Sequence, residues 1–343
     1  MLPCLRLIAY VLPAGCLLSS CDLPDDAAFR SAPPATQLVT VAFPGVSTTS
    51  PRPPPVDKPL RDPDAANYFG VSQDAALLVN MNALKLLTVA RVMVQLPATS
   101  RLDPHRTFGP YQPGGTDPFV YRLVVTQTLS DAFSYTLAAR LGSSKTSDDF
   151  VPVLEGFSTR DTASASARGR MTVLFDNRRK LDPLLCEQGR LDFDYDSYKE
   201  PAELIVTLKQ ALSQTVQGGT CPQVLRDGSF FATHDREGNG RFVFDVRQNV
   251  HDLDPSRGLP ETLLVLSRWD KTGQGRADGK IADGEITQDL LRAGLSARYV
   301  SFSQCWDKQE KTVFQHSEPT LPPLLPTVGQ QEGCWPVGAL FPE

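Results

Sequence analysis

The sequence predicts a mainly β protein of α+β class: a curved, half-barrel-like antiparallel sheet with an N-terminal helix packed on it. Three observations carry this. From Pro118 onward apolar and polar residues alternate with period two in short runs separated by Asp, Gly, Ser and Pro, the mark of successive antiparallel neighbours. One long helix precedes them, apolar over most of its circumference and therefore in need of enclosure. Four cysteines, Cys186, Cys221, Cys305 and Cys334, lie within or beyond the strand runs, an even number that reads as two disulfides in an exported chain. The segment spacing fits a β-sandwich as the alternative.

Residues 1–20 have the parts of a secretory signal. Arg6 is their single charge, Leu7 to Leu12 begin an apolar run, and Pro13 and Gly15 break it well short of the ~20 residues a membrane span needs. Leu18-Ser19-Ser20-Cys21 then resembles the lipobox of bacterial lipoproteins. That resemblance implies a diacylglyceryl thioether on Cys21, which becomes the first residue after cleavage. Cys16, with Pro13 three residues before it, is the competing site, and an ordinary secretory signal is the other alternative. Acyl burial contributes ~0.8 kcal/mol per methylene, so two chains hold a protein on a bilayer without a transmembrane helix. Asp22 resembles the signal for retention at the inner membrane. The periplasmic face of that membrane is thus the favoured location in the cell envelope, with the outer membrane as the alternative.

Residues 21–66 read as the lipidated cysteine and a disordered tether. Ten prolines between Pro24 and Pro63, mixed with Ser, Thr, Ala and Asp, leave too little apolar surface to offset ordering entropy. Such a tether spans ~35–40 Å if flexible and at most ~140 Å if polyproline-like, enough to lift the folded part off the membrane.

Residues 67–260 read as a helix followed by a β-meander. Ser72 is the expected N-cap, Asp74 lies in the first turn, and Pro97 ends the run. Asn82, Lys85, Thr88, Arg91 and Gln95 recur every three or four residues as one narrow polar stripe; the rest is Leu, Val and Met. Strands are expected around Tyr121–Thr126, Phe133–Leu141, Phe150–Ser158, Arg170–Phe175, Arg190–Tyr198, Leu204–Leu208, Ser229–Thr233 and Arg241–Val246. Residues 261–343 read as a β/loop extension with a Gly/Asp-rich loop and a cysteine pair. It has strands at Thr262–Ser267 and Ala297–Phe302 and a short helix around Ile286–Ala293. Sequence neighbours suggest the pairs Cys186–Cys221 and Cys305–Cys334, each worth ~3–4 kcal/mol in the chain-entropy model, although three connectivities are open.

Arg6 is removed with the signal, so 33 of the 34 Lys and Arg remain against 39 Asp and Glu. That balance argues against binding a phosphate backbone, and nucleic acid is not expected as a partner.

Two acidic loops are candidate calcium sites. Asp235-Arg236-Glu237-Gly238-Asn239-Gly240 places oxygens at positions 1, 3 and 5 and glycine at 6 of a calcium loop, but Val246 stands where a bidentate Glu belongs. A β-hairpin turn using Asn239-Gly240 is the competing reading. In the run from Asp270 to Glu285, the tail Asp278-Gly279, Ile281 and Glu285 matches positions 5 to 12. Gln274 and Arg276 are wrong ligands at 1 and 3. An irregular site from Asp270, Asp278, Asp283 and Glu285 would suit hard-oxygen Ca²⁺, against a plain connecting loop. Asp192, Asp194 and Asp196 alternate onto one sheet face, expected to be solvated beside Arg168 or Arg170. Arg178-Arg179-Lys180 reads as a solvated turn. No Gly-x-Ser-x-Gly elbow or HExxH occurs, and His105, His234, His251 and His316 are scattered, so no catalytic residue is assigned.

Phe108-Gly109-Pro110, Gly169-Arg170-Met171, Trp269-Asp270 with Gly275-Arg276-Ala277-Asp278, and Cys305-Trp306-Asp307 are similar to a group of bacterial lipoproteins with no assigned activity, over most of residues 70–335. The helix-then-meander order also resembles, in layout, the half-barrel carriers of lipid and lipoprotein acyl chains in the periplasm. The expectation is a non-catalytic, membrane-anchored envelope protein binding lipid, another apolar ligand or an envelope protein. Alternatives are a disulfide-stiffened structural or adhesion module stabilised by calcium, and a hydrolase using the acidic loops.

Overall fold

The computed structural model describes residues 28–46, 67–114, 117–144, 146, 149–161, 166–214, 226–248, 259–319 and 327–335. The expected signal and Cys21 lie outside these residues, as does Cys221.

Among the described residues fifteen strands form one antiparallel sheet in which each strand pairs only with its sequence neighbours, and the ends do not meet to close a barrel. In order they are β1 (Ser100–Leu102), β2 (His105–Tyr111), β3 (Phe119–Leu129), β4 (Ala132–Leu141), β5 (Val151–Arg160), β6 (Ala167–Leu174), β7 (Cys186–Asp196), β8 (Ala202–Gln214), β9 (Arg226–His234), β10 (Gly240–Gln248), β11 (Glu261–Trp269), β12 (Gly275–Ala282), β13 (Tyr299–Trp306), β14 (Thr312–Glu318) and β15 (Val328–Gly329). The helices are α1 (Asn67–Met93), α2 (Phe175–Leu181) and α3 (Gly284–Arg292). This is the curved meander with a packed helix that the alternation predicts, and the single sheet rules out the sandwich. The division expected at residue 260 is not a boundary: β10 and β11 pair continuously from Gly240↔Trp269 to Gln248↔Glu261.

Helix α1 starts five residues before the expected cap. Ser72 lies inside it, fully buried, sharing a 2.8 Å hydrogen bond with Ser267 of β11. The early start brings Tyr68 onto Phe302 in a parallel stack, with its amide donating to Gln304 Oε1 at 2.7 Å. The helix contacts strands from both halves of the sheet, from β2 to β13. It is long and apolar enough to cross a membrane by composition, but 56% of its apolar window is buried inside the protein, which makes it a core helix. Lys85, Thr88 and Arg91 of the polar stripe are exposed as the periodicity requires, whereas Asn82 is buried and bonds back to Leu78.

The sheet bends tightly because large rings lie flat over glycines on the neighbouring strand. Tyr135 pairs with Gly156, Tyr195 with Gly169, Trp269 with Gly240, Trp306 with Gly275 and Phe302 with Gly279. A Cβ at any of these glycines would run into the ring. Glycine thus curves the sheet at the cost of its own strand propensity. The same glycines make β12 resemble a loop in the sequence, whereas it is a central strand of the sheet.

The tether assignment needs correction. Residues 28–46 belong to the core, with Phe29, Ala32, Val39, Val41 and Phe43 at most 3% exposed. They run as a strap along the concave face near the end of the sheet that carries the β1–β2, β3–β4 and later hairpin turns. Phe29 meets Phe133 of β4 edge to face at 5.7 Å. Ser158 Oγ donates to the Ala32 carbonyl, and Arg160 to that of Pro33. Asn80 of α1 reads both backbone groups of Val41, accepting its N–H at 2.6 Å and donating to its carbonyl at 3.0 Å. These bonds satisfy a backbone that burial would otherwise penalise.

At the other end of the sheet, Arg178-Arg179-Lys180 is helix α2 and not a turn. Arg178 is buried, donating from one terminal nitrogen to both oxygens of buried Glu187, and Lys85 adds a 2.7 Å bridge to the same carboxylate. The aspartate strip of β7 behaves as expected: Arg170 bridges Asp194 at 2.7 Å, and Thr172, Arg190 and Lys209 surround Asp192. Cys305 and Cys334 form the expected disulfide, covered with Phe314 on the sheet. Cys186 is also disulfide-bonded.

Candidate functional site

Three hairpins at one end of the sheet repeat one turn design. In β9–β10 the Asp235 carboxylate accepts the N–H groups of Glu237 and Asn239 and the Asn239 amide. In β11–β12 Asp270 accepts from the Thr272 N–H and hydroxyl and from Gln274 Nε2. In β13–β14 Asp307 accepts the N–H groups of Gln309 and Lys311. The side chain replaces the backbone partners a tight turn leaves unpaired.

These bonds also set the charge state. The Asn239 amide bond chiefly holds the Asp235 carboxyl below its ordinary value. For Asp270, burial pushes upward, but the bonds from Thr272, Gln274 and Gly273 more than reverse it, so the net shift is also downward.

The geometry does not assemble the proposed calcium ligands. Asp270 caps the turn before β12, while Asp283 follows that strand at its far end, ~25 Å along an eight-residue strand. Between them Asp278 is buried in the strand, bonded at 2.8 Å to Arg276. Asp283, at φ +64°, accepts from Thr262 at 2.8 Å. Glu285 is buried in the first turn of α3. Asp235, Glu237 and Asn239 form the hairpin turn that competed with a calcium loop. Among the described residues no group of three or more His, Cys, Asp or Glu side chains is placed to hold a metal. Accordingly, millimolar Ca²⁺ and a chelator are expected to leave the melting temperature unchanged; a chelator-sensitive melt would contradict the turn assignment.

Among the described residues the protein's own side chains fill the concave face where the helix and strap pack, and a cavity there, beside Leu38, Tyr195 and Leu204, measures about 10 Å³, space on the scale of a single water. A cleft of about 400 Å³ opens at the end of the strap, between the β11–β12 and β13–β14 turns. Its floor is Phe43, Pro44 and Trp269, and its rim is Lys271, Thr272, Lys308 and Glu310. Phe43 and Trp269 meet at 4.8 Å, and Phe69, Phe242 and Trp306 back them. Trp306 Nε1 donates to the Gly273 carbonyl at 2.8 Å, and the Lys271 N–H to Asn239 of the next turn at 3.2 Å, which locks the turns together. Gly45, at φ +71°, packs where a side chain would strike Gln73 and Glu310.

Of the cleft lining the sequence singles out Trp269 and Asp270, the latter as a calcium ligand, but not Phe43, Pro44 or Lys308. A readable signal existed: Asp235, Asp270 and Asp307 recur 35 and 37 residues apart, the last two as Trp-Asp-Lys, a repeat that marks equivalent hairpins. The strap carries no such signal, since its burial depends on a surface formed by residues far along the chain.

No family model, curated protein or solved structure matches this chain.

Proposed function

We propose that this is a lipid-anchored, non-catalytic binding module of the bacterial cell envelope that engages a protein partner through the Phe43–Trp269 cleft. The observation that carries this reading is the division of the molecule's apolar surface. The concave face, where a carrier would hold acyl chains, is occupied by the protein's own helix and strap. The cleft is backed by Phe43 and Trp269, only 2% and 4% exposed, which fix its shape, and two exposed lysines and a glutamate stand at its rim, a rigid concavity ringed by polar groups. Of the carboxylates considered for hydrolysis, Asp270 caps a turn and Asp278 sits in a buried ion pair, which also favours a binding role. Lys308 and Lys271 suit an acidic segment of the partner.

The test is a photo-crosslinking amino acid at position 271 of the full chain in its native envelope, with position 184, on the far end of the sheet, as control. A polypeptide adduct specific to 271 is the expected result. Adducts of lipid mass alone would replace the protein partner by a lipid, and no adduct beyond the control would overturn the assignment of the cleft.

A further inference from the structure

We propose that the β1–β2 and β3–β4 hairpin tips, through Leu102 and Leu129, rest in the lipid interface of the membrane that holds the acyl chains of Cys21. The inference rests on the lipid-anchor reading of Cys21. It reverses the expectation that a long tether lifts the domain away.

The strap sets the distance. Phe29 is 3% exposed, packed on Phe133 and covered by the Arg106 guanidinium 4.5 Å from its ring. Six residues, 22–27, separate Cys21 from Ala28, so the anchor lies at most about 25 Å from the point where the chain joins the core.

The join fixes which part of the domain faces the lipid. Phe133 stands beside Ala132, the strand partner of Leu129 across the β3–β4 turn. The β1–β2 turn lies next to it: the Pro104 carbonyl accepts the Gln127 N–H at 3.0 Å, and His105 bonds Thr126 at 2.8 Å. Leu102 and Leu129, 70% and 68% exposed, occupy these two neighbouring tips.

Single exposed leucines on a soluble protein need no explanation. Two at adjacent tips, on the rim from which the anchored chain leaves, match an interface where apolar tips are rewarded. Arg101 and His105 are exposed beside Leu102, so the β1–β2 tip carries polar groups of headgroup depth around its leucine. Asp103 is paired with Arg106 at 2.6 Å, and exposed Asp131 keeps the β3–β4 tip at headgroup depth. The turns that frame the Phe43–Trp269 cleft belong to the same end of the sheet, so the cleft opens on the membrane-proximal side.

The experiment uses the full lipidated protein in phosphatidylethanolamine–phosphatidylglycerol vesicles with brominated acyl chains. A fluorophore is carried in turn on Leu129→Cys, Leu102→Cys and Leu184→Cys. Leu184 is 86% exposed in the turn between α2 and β7, at the opposite end of the sheet. Several-fold stronger quenching at 129 and 102 than at 184 is the expected result. Protein that floats with the vesicles and has diacylglyceryl on Cys21, but is quenched no more at 129 than at 184, overturns the docking and leaves the anchor intact. Protein that stays in solution with an unmodified Cys21 overturns the anchor reading, and the docking with it.

Discussion

Replacing Arg178 by alanine is expected to destabilise the protein by about 3–5 kcal/mol, read as a lowered denaturant midpoint with an unchanged slope. Both partners of the Arg178–Glu187 pair are only 3% exposed, and one arginine nitrogen donates to both carboxylate oxygens at 2.7 Å. Removing the arginine leaves a buried carboxylate whose remaining cation, Lys85, is 44% exposed. Glu187→Gln leaves the converse, a buried guanidinium stacked over Phe119 at 5.3 Å without its counter-charge. The Arg178→Met, Glu187→Leu double replacement is expected to recover most of the loss, because the penalty comes from an uncompensated buried charge. By contrast, disrupting Arg170–Asp194, 67% and 42% exposed, should change stability by no more than ~1 kcal/mol. A single replacement at Arg178 or Glu187 with so small an effect would show that the pair is hydrated.

Phe43→Ala is expected to cost about 3–5 kcal/mol, the range for truncating a buried aromatic. Its ring is 2% exposed and stands among Trp269, Phe69, Phe242 and Trp306, so truncation removes contacts on several sides. The same substitution should speed proteolysis within residues 28–46, because Asn80 and Gln73 hold the neighbouring backbone but bury little apolar surface. Leu184→Ala, at a fully solvated turn, is the neutral control. If Phe43→Ala behaves like the control, residues 28–46 do not belong to the cooperative unit, and the short distance between Cys21 and the domain falls with them.

Local pattern and tertiary packing divided the information unevenly. Alternation in Tyr121–Thr126 and Leu191–Asp196 was enough to locate β3 and β7, since inward and outward residues differ in polarity along each strand. The all-round apolar helix was legible because its composition has one physical solution, enclosure. Strand β12 was not legible: Gly275, Asp278 and Gly279 are poor strand formers taken singly. They are tolerated because Trp306 and Phe302 from β13 fill the space above the glycines and Arg276 pairs the aspartate. Arg178 looked solvated for a similar reason, since its counter-ion lies nine residues on, across a helix–strand junction.

The candidate site was the least legible part. The acidic turn residues resemble calcium ligands because the oxygens that would bind a cation also accept turn N–H groups, and spacing alone does not distinguish the two. The hydrogen bonds at Asp235 and Asp270 do.

The sequence by itself determined the strand period through most of the meander and the need of the apolar helix for enclosure, because both are written in local pattern, and it offered Cys305–Cys334 as one of the open connectivities. Only the tertiary structure decided that residues 28–46 fill the concave face, that the four acidic residues from Asp270 to Glu285 are kept apart, and that Phe43 and Trp269 share one cleft. Those contacts join residues up to about two hundred and sixty positions apart. No local period records a contact between surfaces that exist only after the sheet has curved.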